Sequence, residues 1–144
     1  MTAEAREVAS RDGVTDGTRG LVFELPAKPA AVPAARRALL GCNGELPGSI
    51  RGDVLLLVTE LVSNAVRHAK PGADGMVRVE LRRRRRMVRV AVFDGGGFTA
   101  EAPRATRDES GGWGLFLVDR IADRWAVTPT ASGTCAWFEI RCGQ

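Results

Sequence analysis

The chain has 144 residues, a one-domain length, and its 44% hydrophobic and 26% charged residues are an ordinary globular balance. No apolar run approaches the roughly 18 residues that span a bilayer, and Met1–Val8 has no apolar h-region, so the expectation is a cytoplasmic protein with no membrane partner. Five of the 21 basic residues are the single run Arg82–Arg86; setting those five aside turns the formal +4 into −1, which argues against a general nucleic-acid surface.

Residues 1–19 are polar, rich in Gly, Asp and Thr, and without periodicity, so they read as a flexible tail before a domain at 20–142. Gly20–Leu25 predicts a strand that Pro26 ends, and Pro29–Leu40 a helix with Pro33 near its start, where proline is tolerated. Cys42–Gly48 is a loop, and Ser49 is placed to cap a second helix that runs to about Ala69, where Pro71-Gly72 stops it. Met76–Leu81 and Met87–Phe93 alternate apolar and polar residues and predict half-buried strands. The arginine run between them reads as a solvated hairpin that also blunts an edge, or else as a basic contact for an acidic partner or nucleic acid. Phe98–Ser110 is a polar loop. Leu115–Ala122 predicts a helix, and Trp125–Thr128 and Thr134–Arg141 a terminal hairpin turning through Pro129 and Gly133. The order predicts an α+β two-layer sandwich: a mixed, mainly antiparallel sheet with three helices on one face. Cys42, Cys135 and Cys142 are odd in number and lack CxxC spacing, so they read as reduced, mostly buried residues rather than zinc ligands or a disulfide framework.

The second helix carries Glu60, Asn64 and His68 at four-residue steps among Leu, Val and Ala. Each step drifts only about 40° around the axis, so the three form one stripe. On its own such spacing also describes the exposed stripe of an ordinary amphipathic helix. An acid, an amide and an imidazole are costly to bury unpaired, so on a core helix the stripe reads as a site. Downstream, Gly112-Trp-Gly-Leu115 opens a helix, whose N-terminus offers free N–H groups and a positive dipole to phosphate. Asp94 ends an apolar strand before three glycines, where an acid can accept a hydrogen bond from an exocyclic amine, though a turn aspartate is the plainer alternative. P-loop, Rossmann and protein-kinase signatures are absent.

In order, Glu60-x-x-x-Asn64, Asp94-x-Gly96, Gly112-x-Gly114-Leu115 and Gly133-Thr134 resemble the boxes of the GHKL (histidine kinase-like) ATP-binding domains, the Bergerat fold. The stretch Glu60–Ala69 looks closest to the N box of the bacterial anti-sigma-factor serine/threonine protein kinases. The resemblance spans about Gly20 to Arg141 and implies ATP and Mg²⁺ as cofactors. It makes Asn64 the Mg²⁺ ligand, Glu60 the catalytic base, and Asp94 the acceptor for the adenine amine, assisted by Thr134. It has Gly96 make room for the ring, and Gly112, Gly114 and Leu115 hold phosphates. Arg67 and His68 lie within reach of phosphate or ribose, with His68 read first as a structural histidine. The first glycine box departs from the family's Asp-x-Gly-x-Gly: Phe98 takes its last position unless Gly97 stands in. The segment 98–110 would be a short lid, which suits the protein kinases of the family better than gyrase-type ATPases. The phosphoacceptor helix pair of sensor kinases is absent. The implied partners are an anti-sigma-factor antagonist, phosphorylated on serine, and a sigma factor, and the resemblance admits a homodimer. The alternatives are a non-catalytic ATP-binding switch, a weak ATPase and, resting on the arginine run alone, a nucleic-acid module.

Overall fold

A computed structural model describes residues 6–7, 19–41, 46–68, 75–94, 114–130 and 133–142. Strands β1 (Arg6–Glu7), β2 (Arg19–Pro26), β3 (Met76–Arg84), β4 (Met87–Asp94), β5 (Arg124–Thr130) and β6 (Gly133–Arg141) form one sheet in the order β1-β2-β3-β4-β6-β5. Helices α1 (Ala31–Leu40), α2 (Arg51–Arg67) and α3 (Gly114–Ile121) complete the described elements.

The register separates the two faces of the sheet. Leu21, Leu81, Val90 and Phe138 stand in one cross-strand row, and Phe23, Val79, Val92 and Ala136 in the next. These rows carry the apolar half of each alternating strand, and the helices cover them. Below α2 the core is closed by Val54, Leu57, Val58 and Val62, all fully buried, against Val77, Val79 and Leu81 of β3. Helix α1 packs on β2 and α2, α2 on β3 and β4, and α3 on α2 and β5. Since β2 and β5 lie toward opposite edges, α2 is the central helix, with α1 on one flank and α3 on the other. The fold is therefore the expected α+β sandwich, and every described strand pair is antiparallel, where a partly mixed sheet was expected.

Several local expectations change. Ser49 does not cap α2: the helix starts after Ile50, with no side-chain cap, and Asp53 supplies the acid of the first turn. Arg6–Glu7, expected in a loose tail, pair with Glu24 and Phe23 of β2. Pro129 is not in the turn but inside β5, opposite Thr134, a position open to proline because β5 is an edge strand. The arginine run does not blunt an edge. Arg82–Arg84 belong to β3, only Arg85-Arg86 turn, and the β3–β4 hairpin lies inside the sheet. Cys135 and Cys142 are free and buried, as their reading required; Cys42 lies outside the described residues.

Candidate functional site

Helix α2 places its polar stripe by rotation about its axis. Thr59 turns toward α1, where its Oγ1 accepts a hydrogen bond from Arg36 Nη1 at 3.0 Å. Asn64, five residues on, lies about 140° further round. With Leu57, Leu61 and Ala65 buried between these flanks, Glu60 and Asn64 fall on the side of α2 turned away from α1, toward α3. Both are half-buried. Arg67, in the last turn, and His68, the C-cap, are exposed; the His68 backbone N–H donates to the Asn64 carbonyl at 3.0 Å and ends the helix there. The four-residue stripe therefore splits: its first two members are half-enclosed, and the imidazole stands at the exposed end.

On the sheet, Asp94 and Thr134 are direct cross-strand partners. Opposed residues in an antiparallel pair stand roughly 4.5–5.5 Å apart at Cα, so a carboxylate and a hydroxyl share one location although forty residues separate them in sequence. They continue the row parity of Val90 and Val92 with Phe138 and Ala136, which puts both on the helix-covered face. Thr134, at 4% exposure, is the buried polar residue of the described chain, and Asp94 is half-buried. A carboxylate beside a buried hydroxyl at the end of two central strands offers an acceptor together with a group that can donate or accept.

Helix α3 adds a third component. It begins at Gly114, and Leu115 and Val118 pack it onto the core. Trp125 Nε1 donates to Asp119 Oδ1 at 3.0 Å and fastens the helix to β5. Its N-terminus thus comes from a helix held rigidly beside α2. Gly96, Gly97, Phe98, the segment 98–110 and Gly112 lie outside the described residues. Among the described residues no three His, Cys, Asp or Glu cluster as a metal cage, and no helix is long and apolar enough to cross a membrane.

Cys135, next to Thr134, faces the opposite side of the sheet. Burial pushes its thiol above the ordinary 9.0; Arg89 opposes the rise, and Glu80 and Asp94 add to it. On that side lies a feature the motif reading did not isolate: Arg89 stacks on the Trp137 ring at 4.1 Å from its centroid, among paired arginines and glutamates. The period-two series Arg78-x-Glu80-x-Arg82-x-Arg84 was its signal in the sequence.

The profile of the family described as histidine kinase-like ATPase domain matches residues 25–140, which takes in α2, β4, α3 and all of β6 but its last residue. Comparison with curated proteins gives no match.

Proposed function

Since the chain belongs to the histidine kinase-like ATPase domain family, an ATP-binding fold, we propose that it is a serine/threonine protein kinase of the anti-sigma type. Its substrate is then a serine on a small antagonist protein, and its second partner a sigma factor. The observation that carries the proposal is the pairing of Asp94 with Thr134 on the face shared with α2, the helix that bears Glu60 and Asn64.

The residues present fit the group the family implies. Asp94 is an acceptor suited to the adenine amine, and the Thr134 hydroxyl beside it can bridge to the ring. Gly114 starts a helix, and the N–H groups of a helix's first turn suit phosphate oxygens, with Leu115 in that turn here. Asn64 provides a neutral carbonyl oxygen, a hard ligand of the kind Mg²⁺ accepts beside phosphates and water. When bound, ATP supplies the transferable phosphoryl group and Mg²⁺ offsets its charge. Glu60, one turn before Asn64 on the same flank, accepts the proton of the attacking hydroxyl. The resemblance gives Arg67 and His68, which are exposed at the end of α2, a contact with phosphate or ribose. A second reading, a non-catalytic ATP switch, draws support from the altered first glycine box, whose last position is Phe98 unless Gly97 stands in.

The test is a dissociation between two neighbours. Asn64→Ala is expected to weaken Mg²⁺-dependent ATP binding. Glu60→Ala is expected to keep ATP affinity near that of the wild type and to slow phosphoryl transfer by about 10²–10⁴-fold, the usual contribution of a general base. Labelled-ATP transfer to partners captured from the native cell is measured beside calorimetric ATP affinity. Binding without transfer to any captured partner establishes the switch instead, and ATP hydrolysis without transfer establishes the weak ATPase. Transfer by Glu60→Ala at the wild-type rate removes Glu60 as the base.

A further inference from the structure

The sheet face that no described helix covers carries a concentrated pattern of arginine, away from the Asp94–Thr134 pair. Across the strands, one row reads Gly20, Arg82, Arg89, Glu139, Arg124, and the next row toward the hairpin Arg84, Met87, Arg141. Beyond them Arg85-Arg86 form the turn, exposed. Within this block Glu80 lies 2.9 Å from Arg78 and 3.9 Å from Arg82, Glu139 lies 3.5 Å from Arg89 and 4.0 Å from Arg124, and Asp123 Oδ2 accepts from the Arg141 backbone N–H at 2.7 Å. In formal charge, the described hairpin end of the face sets Arg82, Arg84, Arg85, Arg86, Arg89 and Arg141 beside Glu80, Glu139 and Asp123, while the chain outside the run of five has a formal charge of −1.

Local preferences are broken twice at this spot. Arg82 and Arg89 are direct cross-strand partners, and like charges so placed oppose folding. Arg85 has φ 52°, the left-handed region in which glycine or asparagine is preferred over a long side chain. Protection of a sheet edge is not the reason, because β3 and β4 are interior strands. Nor is the nucleotide: Asp94 and Thr134 belong to the other face, and Arg89 is five residues, about 17 Å, up the strand. The ion pairs of Arg82 with Glu80 and of Arg89 with Glu139, and the Arg89–Trp137 contact, offset part of these costs; local rules set aside together at one spot are where a functional contact is expected.

We propose that the arginine block at the hairpin end of the sheet face opposite the described helices docks an acidic, extended segment of a partner protein. Arg82 and Arg84 project from the same strand face two residues apart, roughly 6.8 Å, which is the spacing of carboxylates on alternate residues of an extended chain. The guanidinium fork takes a carboxylate in bidentate fashion. Glu80 and Glu139, built into the block, fit a peptide of interrupted charge better than a continuous phosphate backbone. Confinement of the charge to one end of one face likewise falls short of the basic stripe that nucleic acid needs.

The experiment uses the full chain, a fluorescent peptide of alternating Glu and Ser, and a duplex DNA of equal charge, in fluorescence anisotropy across a salt series. The expected result is binding of the peptide more tightly than the duplex. The variant Arg82→Gln/Arg84→Gln/Arg89→Gln should weaken peptide binding by about tenfold or more, the order expected from losing three surface ion pairs. The control Arg36→Gln/Arg37→Gln/Arg120→Gln makes the same change in net charge away from the face and should alter binding less than twofold. Should loss of the Arg89–Trp137 contact prevent folding, Arg84→Gln/Arg86→Gln, confined to exposed positions, takes the place of the triple variant and should weaken binding about threefold. Equal weakening by the control would reduce the effect to net charge and overturn the proposal, as would tighter binding of the duplex. A wild-type dimer that ignores the peptide and dissociates in the triple variant would make the face a contact between copies and overturn it as well.

Discussion

Asp94 and Thr134 show how far single residues carry the chemistry. Replacing the Asp94 carboxylate by an amide keeps the shape and, on the proposed reading, removes the acceptor-only group that meets the adenine amine. Asp94→Asn is expected to weaken ATP binding by about 1.5–3 kcal/mol, roughly ten- to hundredfold, in calorimetry on the folded variant. Unchanged affinity would take Asp94 out of the site. Cys135 behaves differently because it faces away from that site and titrates. Its folded-state pKa is raised above 9.0, so its contribution to stability is fully present below the unfolded value and is lost as pH rises through the folded one. Urea midpoints measured above pH 9 should therefore fall with pH, and Cys135→Ala should flatten that fall. An identical alkaline slope in the two proteins would show that other groups cause it.

At the scale of elements, α2 and the β3–β4 hairpin make opposite demands. Helix α2 is uncapped by any side chain at its start, and its stability comes from packing: Val54, Leu57, Val58 and Val62 are fully buried. Leu57→Ala should cost about 2–5 kcal/mol in chemical denaturation, the usual range for a cavity at a core leucine, and should loosen the helix that carries Glu60 and Asn64. A loss below 1 kcal/mol would mean that the core beneath α2 collapses easily. The hairpin instead carries backbone strain at its turn, where Arg85 sits at φ 52°. Relief of left-handed strain, on the order of 1–2 kcal/mol, exceeds the added chain entropy of a glycine, about 0.4–1 kcal/mol. Arg85→Gly should thus raise the melting temperature slightly; a decrease would show that the arginine side chain stabilises the turn by more than the strain costs.

For the whole molecule, ATP binding and folding are linked. A ligand that binds only the native state at a hundred times its dissociation constant adds about 2.7 kcal/mol, several degrees of melting temperature for a domain of this size. ATP with Mg²⁺ should produce that shift in the wild type and far less of it in Asp94→Asn at the same concentration. Equal shifts in the two proteins would place the nucleotide elsewhere. The arginine block, on the other face of the sheet, should leave the shift unchanged when its residues are neutralised.

Much of this molecule follows from local pattern. Period-two alternation in β3 and β4 marked strands because a pleated chain sends successive side chains to opposite faces, and the apolar sets of α2 and α3 marked helices in the same way. The order of the Glu60–Asn64, Asp94, Gly114 and Thr134 segments pointed to the family whose profile the chain matches. Boundaries were less legible. Ser49 has the chemistry of a cap, yet the helix begins two residues later, where burial of Ile50 and Val54 sets the entry of the chain. Pro129 reads as a turn by propensity, but an edge strand has no ladder bond on its outer side for proline to break. Tertiary structure alone decided what is long-range. The partnership of Asp94 with Thr134 and the stacking of Arg89 on Trp137 each join residues some forty or more positions apart, and no local periodicity encodes register between distant strands. The place of the arginine run, on an interior hairpin and the face opposite the described helices, depends on the order of the strands in the sheet, which the pairing of β4 with β6 settles only once the chain has closed upon itself.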